Sequence, residues 1–187
     1  MKLSILIPTL PERHEILSRL NNILVPQVKK HTGVEVKYHD AGRQMTTGEK
    51  RNHLISNCEG EYFSFIDDDD VVPVYYVDEL LKAIDKNPDV ITFIGHMTTN
   101  NKDRKNFTIK LGESYNERGG HYYRFPNHLC CFKKSLVQHV KFPHQHMQED
   151  YVWAKQIHDK RILKTEVHLP IEMYHYDYHT KPLMHRR

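Results

Sequence analysis

The chain has 187 residues, 39% hydrophobic and 27% charged, with a formal net charge of +3. That length fits one domain with a packed core, and the composition excludes a disordered chain. The mild positive charge tolerates an anionic substrate, but no run of lysine and arginine concentrates it into a nucleic-acid footprint.

In chain order, KLSILI (2–7) is a β-branched run closed by Pro8 and reads as the first strand. A helix follows, with Pro11 in its first turn and Ile16, Leu17, Leu20, Ile23 and Leu24 as its apolar stripe. GVEVKYH (33–39) alternates as a second strand. TTGEKRNHLISNCEG (46–60) reads as a helix with Leu54, Ile55 and Cys58 inward and Gly60 at its end. EYFSFI is the third strand, VYYVDELLKAIDKN (74–87) the next helix and DVITFIG (89–95) the fourth strand. Alternation of this kind predicts an α/β fold with a largely parallel sheet, whose ligands bind at the carboxyl ends of the strands.

Residues 96–126 are polar and turn-rich, and read as irregular chain or edge strands. Helices are expected at 131–140 and 148–161, and a strand at 165–179. The 15 histidines crowd the second half, but none stands with a cysteine at zinc-finger spacing. Three cysteines, two of them adjacent, point to a reducing compartment. The opening apolar run is too short for a secretory signal, and no run has the length of a membrane span. A cytoplasmic location is therefore expected.

The most demanding stretch is EYFSFIDDDDVVP (61–73), where a strand ends in four consecutive carboxylates. Two such charges about 4 Å apart repel by roughly 4 kcal/mol at an effective dielectric of 20. In an extended segment Asp67 and Asp69 would share one face, and Asp68 and Asp70 the other. A pair of carboxylates at a strand end can bind a hard divalent cation, with substrate phosphates completing its shell. The bland alternative is an acidic helix start, which one acid would satisfy. An EF-hand lacks its glycine here, and TTGEKR does not keep phosphate-loop spacing.

Lys50 and Arg51 sit early in a helix, a poor match to its dipole unless a phosphate is the partner. Glu149 and Asp150 open another helix, either as dipole compensation or with one of them as a general base. His175, Asp177 and His179 alternate on the last strand, where a neutral imidazole could complete a metal shell; packing or surface histidine is the alternative.

These motifs, in this order, resemble the family 2 glycosyltransferases of the GT-A fold. LSILIPTLPER is similar to that family's opening strand. GEKRNHLISNCEGEYFSFIDDDD resembles its most specific block, which ends in Asp-x-Asp, and QEDYVWA resembles its Glu-Asp motif. The resemblance covers most of residues 1–160 and implies a Rossmann-like single domain with helices on both faces of the sheet. Residues 1–95 would form the nucleotide-binding half and 96–187 the acceptor and catalytic half.

It further implies that Pro8, Thr9, Arg13 and Asp40 line the nucleotide pocket and that Lys50 and Arg51 approach the ribose or diphosphate. Asp67, with Asp68 beside it, would contact the nucleotide. Asp69 and Asp67 would hold Mn²⁺ or Mg²⁺, with His175 as the downstream ligand and His179 second. Asp150, next to Glu149, would deprotonate the acceptor. The expected reaction is inverting transfer from a nucleotide-diphosphate sugar, UDP-linked in the first instance, to a hydroxyl. FPNHLCCFKKSLV is similar to compact, often viral members, which admits a glycan or a modified DNA base as acceptor.

The residues departs from the family pattern at His39-Asp40 and DAGRQ, where an acidic pair and Asp-Gly-Ser are usual. A haloacid-dehalogenase-like phosphatase, with Asp67 as nucleophile in Asp-x-Asp-x-Val, is the competing enzyme class. A non-catalytic module that binds sugar nucleotides or glycans is the other.

Overall fold

The computed structural model describes residues 1–100 and 102–178. β1 (Leu3–Pro8) is buried at all six positions, as a central strand covered on both faces must be. It pairs in parallel with β2 (Val34–His39) and with β3 (Tyr62–Phe65). α1 (His14–Val28), entered through a 3-10 turn at Pro11–Arg13, joins the first two strands and buries Leu20 and Leu24. α2 (Thr47–Asn57) joins β2 to β3 and buries Leu54 and Ile55.

The start of α2 is a capping box. The Glu49 N–H donates to Thr46 Oγ1 at 3.2 Å, and the Thr46 N–H donates to Glu49 Oε2 at 2.8 Å. α3 (Tyr76–Ile84) then leads to β4 (Val90–Thr99). The carboxyl ends of β1, β2 and β3 share one edge of the sheet, which is where this architecture places ligands.

Beyond β4 the sheet becomes mixed. β5 (Lys102–Ile109) pairs antiparallel with the second half of β4. β6 (Asn116–Arg118) and β7 (His121–Arg124) form a hairpin that extends β5. Its two-residue loop, Gly119-Gly120, has φ of 60° and 77°, the left-handed values such a turn requires. Residues 96–126, expected as irregular chain or edge strands, are thus mostly strand. Their polar residues alternate on a sheet face open to solvent, which hides the strand signal in a hydropathy reading.

The helix expected at 131–140 also needs correction. β8 (Cys131–Lys133) is a strand inserted antiparallel between β3 and the first half of β4, and only α4 (Lys134–Val137) is helical. Cys131 and Phe132 are wholly buried there. A three-residue strand is too short for periodicity to separate it from the helix that follows. β9 (Glu166–Tyr178) runs parallel along the other edge of β4, matching the expected C-terminal strand.

α5 (Glu149–Asp159) packs through Trp153, whose ring stacks on Phe142 at 4.5 Å and meets Phe132 edge-on at 5.2 Å. The Trp153 Nε1–H donates to Val140 O at 3.1 Å. This buried, hydrogen-bonded anchor fixes the start of α5 against β8 and the segment 140–142. No described helix is long and apolar enough to cross a membrane.

Candidate active site

The four aspartates leave β3 as a turn, closed by an Asp70 N–H to Asp67 O bond of 3.1 Å. The alternation expected of an extended segment is therefore replaced by four separate environments. Asp67 accepts from Arg51 Nη2 at 2.7 Å, and its other oxygen lies 3.5 Å from His128 Nε2. Burial pushes its carboxyl up, but Arg51 and His128 together hold it well below the usual range. Asp68 accepts from the Thr9 hydroxyl at 2.6 Å and pairs with Arg13. Here burial outweighs Arg13 and Thr9, with Asp69 and Asp67 adding to it, and the group is pushed up to about 6.

Asp69 accepts from Arg13 Nη2 at 2.7 Å and keeps 26% of its side chain exposed. Asp70 is buried and accepts from the Tyr174 hydroxyl at 2.7 Å. Burial first, then Asp67 and Asp69, raises it well above the carboxylate range. The repulsion of the row is thus met by two arginines, a histidine and the burial of two acids.

The turn forms one wall of a cavity of about 290 Å³, also lined by Pro8, Thr9, Arg13, Lys50, Arg51 and Glu149. Leu10, Gly42, Arg43, Met45, Thr47 and His146 complete it. Lys50 is buried and donates to Thr9 O at 2.8 Å. Its ammonium is pulled below its ordinary value by burial, against the attraction of Asp68.

Arg51 is buried under Asp67 and Glu149, with its Nε 3.3 Å from Glu149 Oε1 and its guanidinium 4.9 Å from the Phe65 ring. Burial opposes its charge, yet Asp67 and Glu149 raise its pKa. Its Nη1 has no hydrogen-bond partner among the described residues. Asp40, expected in the pocket, sits just past β2 and is not among the lining residues.

Asp150 lies outside the cavity lining but is tied to it. His128 is buried, and its Nδ1 stands 3.2 Å from Asp150 Oδ2, out of line for a hydrogen bond. Burial and Arg51 disfavour the imidazolium, but Asp150 and Asp67 more than reverse this and raise its pKa. Asp150 in turn is held well below the carboxylate range, because His128 and Arg51 outweigh its burial. Glu149 is raised instead, since burial exceeds the pull of Arg51.

The result is a chain of alternating acidic and basic side chains from Glu149 through Arg51, Asp67 and His128 to Asp150. Sequence reasoning missed His128. It belongs to no spaced set, and FPNHL offers only a lone histidine among apolar neighbours. Gln148, immediately before Glu149, has a left-handed φ of 62°, a conformation that costs about 1–3 kcal/mol at a non-glycine residue and is often kept at functional sites.

His175, expected as the downstream metal ligand, is not among the residues lining the cavity beside the aspartate turn. Its Nε2 is 2.9 Å from Thr98 Oγ1, and its ring stacks on His96 at 4.2 Å. It lines a separate cavity of about 210 Å³ with Val71, Tyr75 and Glu172. Alternation along β9 gives the aspartate turn to Tyr174 and sends the neighbouring imidazole elsewhere. His179 lies outside the described residues. Among the described residues no three His, Cys, Asp or Glu side chains converge as a metal site.

The family profile described as "Glycosyl transferase family 2" matches residues 15–144. S. aureus TarS 1-349 in complex with UDP-GlcNAc is similar at a TM-score of 0.67 and 15% identity, covering 98% of this chain and 60% of that one. The same fragment in complex with UDP gives 0.67 and 16%, over 95% and 60%. TarS itself gives 0.65 and 15%, over 95% of this chain but 37% of that one. The chain therefore spans 60% or less of these proteins, and at such identity they establish the GT-A fold. No match was found among curated proteins.

Proposed function

Because the chain belongs to glycosyl transferase family 2, we propose that it moves a sugar from a nucleotide-diphosphate sugar to an acceptor hydroxyl. The observation that carries this reading is the junction at His128. It joins Asp67, at the rim of an anion-compatible cavity, to Asp150, at the start of a helix far along the chain. UDP is the first candidate nucleotide, since the TarS fragment of like fold is described with UDP and UDP-GlcNAc.

In this reading Thr9, Arg13 and Lys50 bound the nucleotide and diphosphate, and Asp67 stays anchored by Arg51. The acceptor oxygen attacks the anomeric carbon while the bond from that carbon to the diphosphate breaks, its electron pair remaining on the leaving oxygen. The acceptor proton passes to Asp150, and a single displacement inverts the anomeric centre. The pairing with His128 keeps Asp150 ionised, as a proton acceptor must be beforehand. It also makes Asp150 a weak base, so the proton moves once attack has made the hydroxyl acidic.

Asp69, with a hard and partly open carboxylate, would be the residue to hold Mn²⁺ or Mg²⁺. When bound, such a cation supplies electrostatic stabilisation of the departing diphosphate. The phosphatase alternative needs Asp67 as a free nucleophile, whereas both its oxygens face cationic or proton-donating groups.

The test is a thermal-shift screen of UDP-, GDP- and CDP-sugars with and without Mn²⁺. Stabilisation by a UDP-sugar that EDTA removes supports the reading, as ligand binding to the folded state must raise the melting temperature. No shift with any nucleotide sugar, together with turnover of p-nitrophenyl phosphate, overturns it.

A further inference from the structure

We propose that His128 is a positioning residue that holds Asp150 in place for catalysis through its Nδ1 edge. The proposal rests on the glycosyltransfer reading, and it assigns a role to a residue outside the motifs that suggested that reading.

The two carboxylates facing His128 depend on it unequally. Asp67 has a second partner, since it accepts from Arg51 Nη2 at 2.7 Å. The Asp150 carboxylate has His128 as its only ion-pair partner among the described residues, at 3.2 Å from Nδ1. The imidazole is itself pre-set by its neighbour Asn127, which is wholly buried. The Asn127 Nδ2–H donates to Tyr115 Oη at 3.1 Å, and its Oδ1 accepts from the Leu129 N–H at 3.2 Å. The loop on both sides of His128 is therefore fixed, which is how a supporting shell keeps a reactive group within the tight tolerance catalysis needs. Losing His128 should leave the nucleotide side of the site standing and release the base.

The geometry makes this separable, because two amides imitate the two edges of the ring. The amide nitrogen of asparagine falls where Nδ1 stood, facing Asp150, and that of glutamine where Nε2 stood, facing Asp67.

The experiment uses the full chain, with UDP and Mn²⁺ as the binding probe and release of UDP from UDP-GlcNAc in water as turnover. We expect His128→Asn to keep turnover within about tenfold of the parent, while His128→Gln and His128→Phe lose about 100-fold at nearly unchanged UDP affinity. Urea unfolding of His128→Phe, Asp150→Asn and the double variant reads the contact without any activity. Non-additive effects support the clamp, and additive ones overturn it. Equal turnover in the Gln and Asn variants, or a Phe variant near the parent, also overturns it. A parent that responds to no UDP-, GDP- or CDP-sugar refutes the glycosyltransfer reading instead, while the unfolding cycle still decides whether His128 holds Asp150.

Discussion

Asp67 and Asp68 are neighbours in sequence, yet their carboxyls are displaced in opposite directions. Arg51 and His128 reach the first, whereas burial dominates the second despite Arg13. For Asp68 the raised value sets the sign of a pH effect. Folding favours its protonated form, so the stability it contributes is complete below its ordinary value of 3.8 and is lost as pH rises through about 6. Asp68→Asn should therefore gain on the parent between about pH 5 and pH 7.5, by on the order of 1 kcal/mol. Urea unfolding at both pH values checks this, and a difference that does not change with pH contradicts it.

The same scale explains what could be read from the residues in advance. Thr9, Arg13, Lys50, Arg51 and Asp67 to Asp69 meet at one cavity because spaced motifs brought them there. His128 has no spacing to betray it. His175 does alternate with its neighbours, but alternation fixes the existence of two faces and leaves open which one meets the turn.

At the scale of elements, the site depends on how α2 and the chain before α5 are held together. Asn52 donates its amide to Phe142 O and accepts from the Phe142 N–H, each at 2.9 Å. Gly48 lies so close to the same segment that a Cβ there would stand 1.9 Å from Pro143 O. Backbone cannot yield as a flexible side chain would, so Gly48→Ala should destabilise by about 1–3 kcal/mol, read as a lower urea midpoint. An unchanged midpoint would mean that this packing is looser than described.

The helices α1, α2, α3 and α5 and the first three strands were legible because each carries apolar residues in a readable pattern, such as Leu20 and Leu24 on α1 or Leu54 and Ile55 on α2. β8 was not, since three residues carry no period and its partners lie far away in sequence. The capping box at Thr46 and Glu49 is written in TTGE, and it marks the start of α2 more sharply than the hydrophobic pattern does.

For the whole molecule, parallel β1, β2 and β3 deliver the cavity, and the antiparallel β8 and the Trp153 anchor bring α5 and Asp150 to its side. The α/β class followed from strand–helix alternation, whereas the mixed second half depends on long-range pairing that local pattern does not encode. The central claim is that this junction transfers a sugar with Asp150 as its base. Its most direct test measures UDP release from UDP-GlcNAc with Mn²⁺, alongside UDP affinity, in the parent and in Asp150→Asn. Turnover in Asp150→Asn should fall by about 1000-fold with UDP binding retained; turnover near that of the parent would rule out Asp150 as the base.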